Sequence, residues 1–348
     1  MSDRHAARVL LALLSERWER AEALLRERVP EAAPFLELCR RTDVAPTVHA
    51  ILERAGRSAL LPPPIVDGLA AARATTRRDN LLLLARLEQA LDLLLAAGIR
   101  PVALKGVDVL HRLYRSFDER TLDDVDLLVP PERRDEAIAR LEQAGWTGPG
   151  EPERTHWFRS SFELPLESPG PIGVAFEIHW SLGQTGRYAI DTNALLARAR
   201  PLDVAGRSIL RLEEHDAVAH LLLHHVQHYF DRRLKWVLEI GRTARTPGFS
   251  WADVARRVEA WGGRAAASLS LRHVAKLFPG MLPAEAYAAI PADPWRLLAT
   301  LPLRSTHPLD LYRGTRRRGV QLLLAAAALE RPRDLPRYLR HRAVRDRG

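Results

Sequence analysis

Between Pro101 and Leu212 the apolar residues of this chain change their spacing. Upstream they recur at helical intervals: Val9, Leu10, Leu13 and Leu14, then Trp18, Ala21 and Leu25. Pro30 and Pro34 punctuate that region, and PPP at 62–64 breaks it. Leu81 to Leu84, Leu87, Leu91 and Leu94 then form the stripe of a long helix over 65–97. Gly98 follows at the position that tolerates a left-handed backbone. Inside the changed stretch, PVALKG (101–106) and DVDLLV (124–129) read as strands. VDVLHRLY (107–114) and PERRDEAIARLEQAGW (131–146) read as helices, the second opening on proline. RTHWFRSSFELPL (154–166) and IGVAFEIHW (172–180) alternate with period two, as strands do, and ESPGP between them fits a hairpin. SILRL (208–212) adds a further strand. After Glu213 the helical spacing returns in HDAVAHLLLHHVQHYF, LKWVLEIGRTA and WADVARRVEAWG. The expected class is therefore α+β: a small mixed sheet with flanking helices, embedded in a mostly α-helical chain. The expected segments are 1–98, helical; 99–212, the α/β core; and 213–348, helical with a basic tail.

With 348 residues, 47% hydrophobic, the chain is long enough for a sizeable core and for two or three domains. The single cysteine, Cys39, excludes an intramolecular disulfide and a cysteine-based zinc site. The N-terminus reads as an amphipathic helix without a secretory cleavage pattern. No window reaches the roughly 18 uncharged apolar residues of a spanning helix, and VQLLLAAAAL (320–329) reads as a buried helix. A cytoplasmic protein with no membrane partner is expected. The net charge of +9 favours anionic partners, but it is scattered among 43 acids. The basic run RPRDLPRYLRHRAVRDRG at the C-terminus reads as a solvated charge run. Nucleic acid is thus only weakly indicated. Lysine is scarce: Lys105, Lys235 and Lys276 stand against 49 arginines, so a lysine here invites a site-specific reason.

Asp124 and Asp126 head the apolar run Leu127–Val129. In a strand, residues i and i+2 share a face about 7 Å apart, so the two carboxylates project together. The pair can be a hard-cation site, or it can lie on an exposed strand end or pair with Arg120. In IGVAFEIHW, Ile172, Val174, Phe176 and Ile178 form one face, and Gly173, Ala175, Glu177 and His179 form the other. A lone acid on the small-residue face of a core strand needs a partner. Three acids on two strands make a two-metal arrangement, which suits in-line displacement at phosphorus. Asp124, Asp126 and Glu177 are therefore expected to cluster, with His179 at the margin.

Leu104-Lys105-Gly106, Tyr114, Arg120-x3-Asp124-x-Asp126-Leu-Leu-Val, Phe-Glu-Ile-His-Trp at 176–180 and RLKWVLEI at 233–240 together resemble the uncharacterised nucleotidyltransferase family. That family belongs to the DNA polymerase β-like nucleotidyltransferase superfamily, and the resemblance spans roughly 80–245. It implies a nucleotidyltransferase-type sheet. Asp124 and Asp126 would be metal ligands, Glu177 the third catalytic carboxylate, and Gly106 the turn at the nucleotide phosphates. Two features depart from the broader superfamily: the turn reads Lys-Gly rather than Gly-Ser, and seventeen residues separate Gly106 from Asp124.

Lys105 beside that turn can hold a triphosphate oxygen as a point charge, or stand as a surface lysine at a strand end. Arg120 can orient Asp124 or contact phosphate, or serve in a structural ion pair. Asp123 reads as a solvated turn residue, and Asp108 carries no specific signal. His220, His224 and His228, spaced by four, share a helix face with a metal, cleft-lining or structural role open. No HExxH, P-loop, G-x-G-x-x-G or nucleophile-elbow pattern occurs. The expected function is Mg-dependent transfer of a nucleoside monophosphate from NTP to an unknown acceptor (small molecule, peptide, protein or RNA), with release of pyrophosphate. The alternative is a catalytically inactive nucleotide- or nucleic-acid-binding protein on the same fold.

Overall fold

The computed structural model describes residues 4–183, 187–228, 233–245, 248–299, 318–336 and 338–339. Helices α1 (Arg4–Leu14), α2 (Trp18–Glu27), α3 (Ala32–Arg41) and α4 (Ala45–Arg54) precede the long α5 (Pro63–Ala96). Helix α5 ends where expected, and Gly98 takes a φ of +69°, open to glycine without steric penalty. The strands follow: β1 (Val102–Ala103), β2 (Val125–Leu128), β3 (Glu163–Glu167), β4 (Ala175–His179), β5 (Arg200–Val204) and β6 (Arg207–Arg211). They form one mixed sheet in the order β3-β4-β2-β1-β6-β5. Strand β2 runs parallel to β4 and antiparallel to β1, and β1 runs parallel to β6. Helices α6 (Lys105–Leu113), α7 (Arg134–Gln143), α8 (Glu153–Ser160) and α9 (Thr192–Arg198) connect them. Helices α10 (Glu214–Gln227), α11 (Leu234–Thr243), α12 (Trp251–Ala260) and α13 (Arg264–Leu277) come after the sheet. The fold is thus α+β, as the change of spacing predicts. Among the described residues no helix is long and apolar enough to cross a membrane.

One face of the sheet is apolar. Val125, Leu127, Leu164, Leu166, Phe176 and Ile178 alternate inward and are fully buried or nearly so. Trp146, just beyond α7, meets Phe176 edge to face with centroids 5.9 Å apart. The same hydrophobic cluster takes in side chains from α1 through α13, so the flanking helices and the sheet share one core. Because period two drives this face inward, the intervening residues of β2, β3 and β4 must project from the opposite face.

The structure departs from the sequence expectation in four places. Residues 153–160 are helical, not the front of a strand, and β3 begins only at Glu163. The Glu151 carboxylate accepts from the Thr155 N–H and hydroxyl, a local closure that overrides the alternating pattern. Ile172 lies ahead of β4 and is 62% exposed, so it does not join the inward face. Strand β5 was not expected; its hairpin to β6 turns through Ala205 and Gly206, both at positive φ (52° and 79°). Asp203 accepts from the Gly206 N–H across that turn. Finally, the Lys105–Gly106 turn is the first turn of α6. Lys105, not Gly106, takes the left-handed backbone, with φ +38°. The basic tail from 340 onward lies outside the described residues.

Candidate active site

Strands β2 and β4 are neighbours, and their register sets Asp126 directly beside Glu177. Two residues further along β4, His179 returns to the same face, and the antiparallel pairing of β3 places Glu163 beside it. The polar residues left over by the inward apolar pattern thus converge. His179 Nε2 lies 2.9 Å from Asp126 Oδ1 and 3.4 Å from Glu177 Oε2. Its Nδ1 lies 3.4 Å from Glu163 Oε2, within ion-pair range but without hydrogen-bond geometry. Asp126 and His179 are each only 1% exposed.

Lys105 completes the cluster from the N-terminus of α6. Its Nζ lies 2.6 Å from Asp126 Oδ1 and 3.4 Å from Glu177 Oε2. The left-handed backbone of Lys105 is one a non-glycine residue adopts at a cost of about 1–3 kcal/mol, and the ion pair with Asp126 goes with it.

Burial pushes the Asp126 carboxyl up to about 6, with Asp124 and Glu177 adding repulsion against the pull of Lys105 and His179. Burial likewise raises Asp124 and Glu163. It raises Glu177 too, but His179, Lys105 and Asp126 outweigh it and hold that carboxyl well below the usual range. Burial lowers the His179 imidazole, yet Asp126 and Glu177 overcome it and push the ring up to about 9. The same acids raise Lys105 against its burial. Four carboxyls thus face two cations, and three of the four resist ionisation. The donor set is short of positive charge.

Asp126, Glu177 and His179 each offer one ligand atom, all within 4.8 Å of one another; among the described residues they are the group that can hold a metal ion. Two carboxylate oxygens suit a hard cation, and the imidazole nitrogen widens the choice toward manganese. With an ammonium already resting on Asp126, the residues fit a cation.

The expected site residues fall into three groups. Asp126, Glu177 and Lys105 are in contact. Asp124 stands one residue ahead of β2, half-buried, in the field of Lys105 and Glu177 but outside the metal-competent group. Arg120 and Gly106 lie behind the site. Arg120 Nε donates to Glu239 Oε1 at 2.7 Å, and its Nη1 donates to the Thr121 carbonyl. A Cβ on Gly106 would meet Leu122 Cδ2 at 3.1 Å and Arg120 Nη1 at 3.3 Å, so glycine there lets α6 pack closely on the loop before β2. Asp123 is not merely solvated, because Lys235 and Arg233 both pair with it. Asp108 pairs with Arg112.

Sequence reasoning put His179 at the margin and overlooked Glu163. The available signal was the alternation of Glu163-Leu164-Pro165-Leu166, which puts Glu163 on the polar face. On α10 and just past its end, His224 meets His220 edge to face at 6.0 Å and the tilted ring of His228 at 4.4 Å, and it also packs against Trp236 at 4.7 Å. Burial, followed by neighbouring charge that includes Lys105, keeps His220 and His224 neutral.

A family model described as an uncharacterised nucleotidyltransferase matches residues 30–279. No curated protein matches the chain. Among solved structures, an antigenic nucleotidyltransferase-like protein from Paracoccidioides brasiliensis is similar at 12% identity. The match covers 56% of this chain and 91% of that one, with a TM-score of 0.31.

Proposed function

The chain belongs to the uncharacterised nucleotidyltransferase family, and from that premise we propose that it transfers a nucleoside monophosphate from an NTP to an acceptor. A lone pair on an acceptor oxygen or nitrogen attacks the α-phosphorus. The bond from that phosphorus to the α,β-bridging oxygen breaks, pyrophosphate leaves with the electron pair, and the acceptor's proton passes to solvent water. The observation that carries this reading is the side-by-side register of Asp126 and Glu177 on parallel strands, with Lys105 bridging them.

Asp126 and Glu177 would hold a divalent cation, with His179 as the nitrogen donor and Asp124 as the outlying carboxylate. When bound, such an ion supplies neutralisation of charge on the phosphates and the leaving group. Lys105, beside these carboxylates, would meet triphosphate oxygens as a point charge. Arg120 and Gly106 support the turn from behind. The reaction belongs where NTP and magnesium are abundant, the cytoplasm. Magnesium or manganese would serve.

The test uses each of ATP, GTP, CTP and UTP labelled in the α-phosphate, with magnesium or manganese, against small-molecule, peptide, protein and RNA fractions. Metal-dependent transfer of label with pyrophosphate release, abolished in Asp126→Asn and sharply cut in Glu177→Gln, is the expected result. Lys105→Ala should weaken NTP binding. Full turnover in Asp126→Asn would refute the assignment. One observation favours a second reading: Lys105 and His179 already stand among the carboxylates as cations, as they would in a nucleotide-binding protein without catalysis. NTP binding with no pyrophosphate from any fraction would select that reading.

A further inference from the structure

The segment between α6 and β2 has no regular secondary structure from Arg115 to Asp124, yet it delivers Asp124 to the site. Such a segment needs outside support to hold a carboxylate still. Helices remote in sequence supply it. From α4, the Thr47 hydroxyl donates to the Glu119 carbonyl at 2.7 Å. From α5, the buried Asn80 donates to the Arg120 carbonyl at 2.7 Å and accepts from the Leu122 N–H at 3.1 Å.

The densest support comes from α11. Lys235 and Glu239 lie one turn apart on it and share a face. The Lys235 ammonium, 1% exposed, donates to Asp123 Oδ2 at 2.8 Å, to Thr121 Oγ1 at 3.0 Å and to the Thr121 carbonyl at 3.2 Å. Glu239, fully buried, receives Arg120 and the Tyr114 hydroxyl. Arg120 in turn abuts Gly106, the neighbour of Lys105. One helix therefore braces both walls of the site: the loop leading to Asp124 through Lys235, and the turn bearing Lys105 through Glu239 and Arg120.

We propose that Lys235 is a positioning residue for the metal site, fixing the Thr121–Asp123 backbone so that Asp124 is held toward the Asp126–Glu177 pair. It touches neither the reacting groups nor the candidate ligands Asp126, Glu177 and His179. The proposal rests on the transfer reading only for the identity of the cation. Its bracing of the loop stands independently.

The sign of the effect separates positioning from simple electrostatics. Lys235 is a positive charge near the site and acts on Asp124 through space. If charge were its whole contribution, removing it would tighten binding of a cation. If it positions Asp124, removing it weakens binding. The test is Lys235→Met in the full chain, a swap of similar length. Arg233 remains on Asp123 and Arg120 on the Thr121 carbonyl in that variant. Manganese alone is titrated by electron paramagnetic resonance, and backbone amide exchange is followed by mass spectrometry. Positioning predicts at least fivefold weaker manganese binding, and exchange at 121–124 faster by about tenfold with the rest of the sheet unchanged. Thr121→Val removes one of the three acceptors and should weaken manganese about threefold. It keeps the claim testable if Lys235→Met fails to fold. Unchanged or tighter manganese binding in a folded variant would overturn the proposal, as would exchange that rises uniformly or stays the same. If the wild-type chain binds no manganese, the metal reading fails, and the exchange result at 121–124 still decides whether Lys235 braces the loop.

Discussion

Glu239→Ala should destabilise the protein far more than a typical substitution, although residue 239 lies 119 positions from its partner Arg120. Both side chains are buried, at 4% and 0% exposure. Arg120 donates through Nε at 2.7 Å and Nη2 at 3.3 Å, and the Tyr114 hydroxyl donates to the same carboxylate at 3.2 Å. Truncation leaves a guanidinium in the interior with the Thr121 carbonyl as its remaining acceptor. Stranding one member of a buried ion pair costs about 3–5 kcal/mol, and the orphaned Tyr114 hydroxyl adds about 1 kcal/mol. The expected loss is thus about 4–6 kcal/mol. At about 2 °C per kcal/mol, the low end suited to a larger chain, the thermal midpoint falls roughly 10 °C. Urea unfolding followed by circular dichroism measures the loss directly. Glu239→Gln, which keeps an acceptor but not the charge, should fall between wild type and Glu239→Ala. The double variant Arg120→Met with Glu239→Leu should recover most of the stability, because a buried pair replaced by apolar groups is often neutral. A loss under about 1 kcal/mol in Glu239→Ala, beneath the ordinary range for a stranded buried charge, would refute the view that this pair anchors the loop.

Two further outcomes follow from buried titratable groups. Burial holds His220, His224 and His225 well below 6.5, so below that pH the unfolded chain binds protons that the folded chain refuses. Stability should therefore fall on acidification, by about 3 kcal/mol between pH 6.5 and 5.5 for three such rings. Asp126, near 6 in the fold, takes up a proton in the same window and offsets about 1 kcal/mol of it. A urea midpoint that is flat or rising from pH 6.5 to 5.5 would contradict the burial of these rings. Burial also raises the Cys39 thiol far above its ordinary 9.0. It should be inert to a thiol reagent at pH 8 until the chain unfolds, and stability should decline as pH climbs past 9, where only the unfolded state loses that proton. Rapid labelling of folded protein would place Cys39 at an accessible surface.

Local pattern carried the parts of the fold that local physics decides. The leucine stripe of α5 and the glycine that ends it are properties of adjacent residues, and so is the inward face of β4 at Phe176 and Ile178. The same pattern put Asp126 and Glu177 on one side of their strands, and their register on parallel neighbours brought them together. Where two local signals competed, the weaker one misled. The alternation of residues 154–160 gave way to the closure of Glu151 on Thr155, and the Ala205–Gly206 turn that makes β5 possible was hidden behind an unremarkable Arg-Pro-Leu-Asp-Val. His179 was misplaced because its company depends on β3. Glu163 meets it only through an antiparallel pairing whose register a single strand does not state.

The scarcity of lysine links the carboxylate face to the loop behind it. In a chain with 49 arginines, two of the three lysines, both largely buried, stand at the carboxylate face and behind the loop, beside the buried Arg120. A guanidinium is a planar fork matched to one carboxylate, whereas an ammonium is compact and directs three donors around a point. Lys235 uses that geometry on three different acceptors: a carboxylate, a hydroxyl and a carbonyl. Lys105 uses it to sit between Asp126 and Glu177, carboxylates from two strands. Arg120, by contrast, meets the single carboxylate of Glu239 through two of its nitrogens, the task its fork is shaped for. The choice of cation at each position thus follows the number and arrangement of the acceptors it meets: several groups around one ammonium at Lys105 and Lys235, one carboxylate across the fork of Arg120.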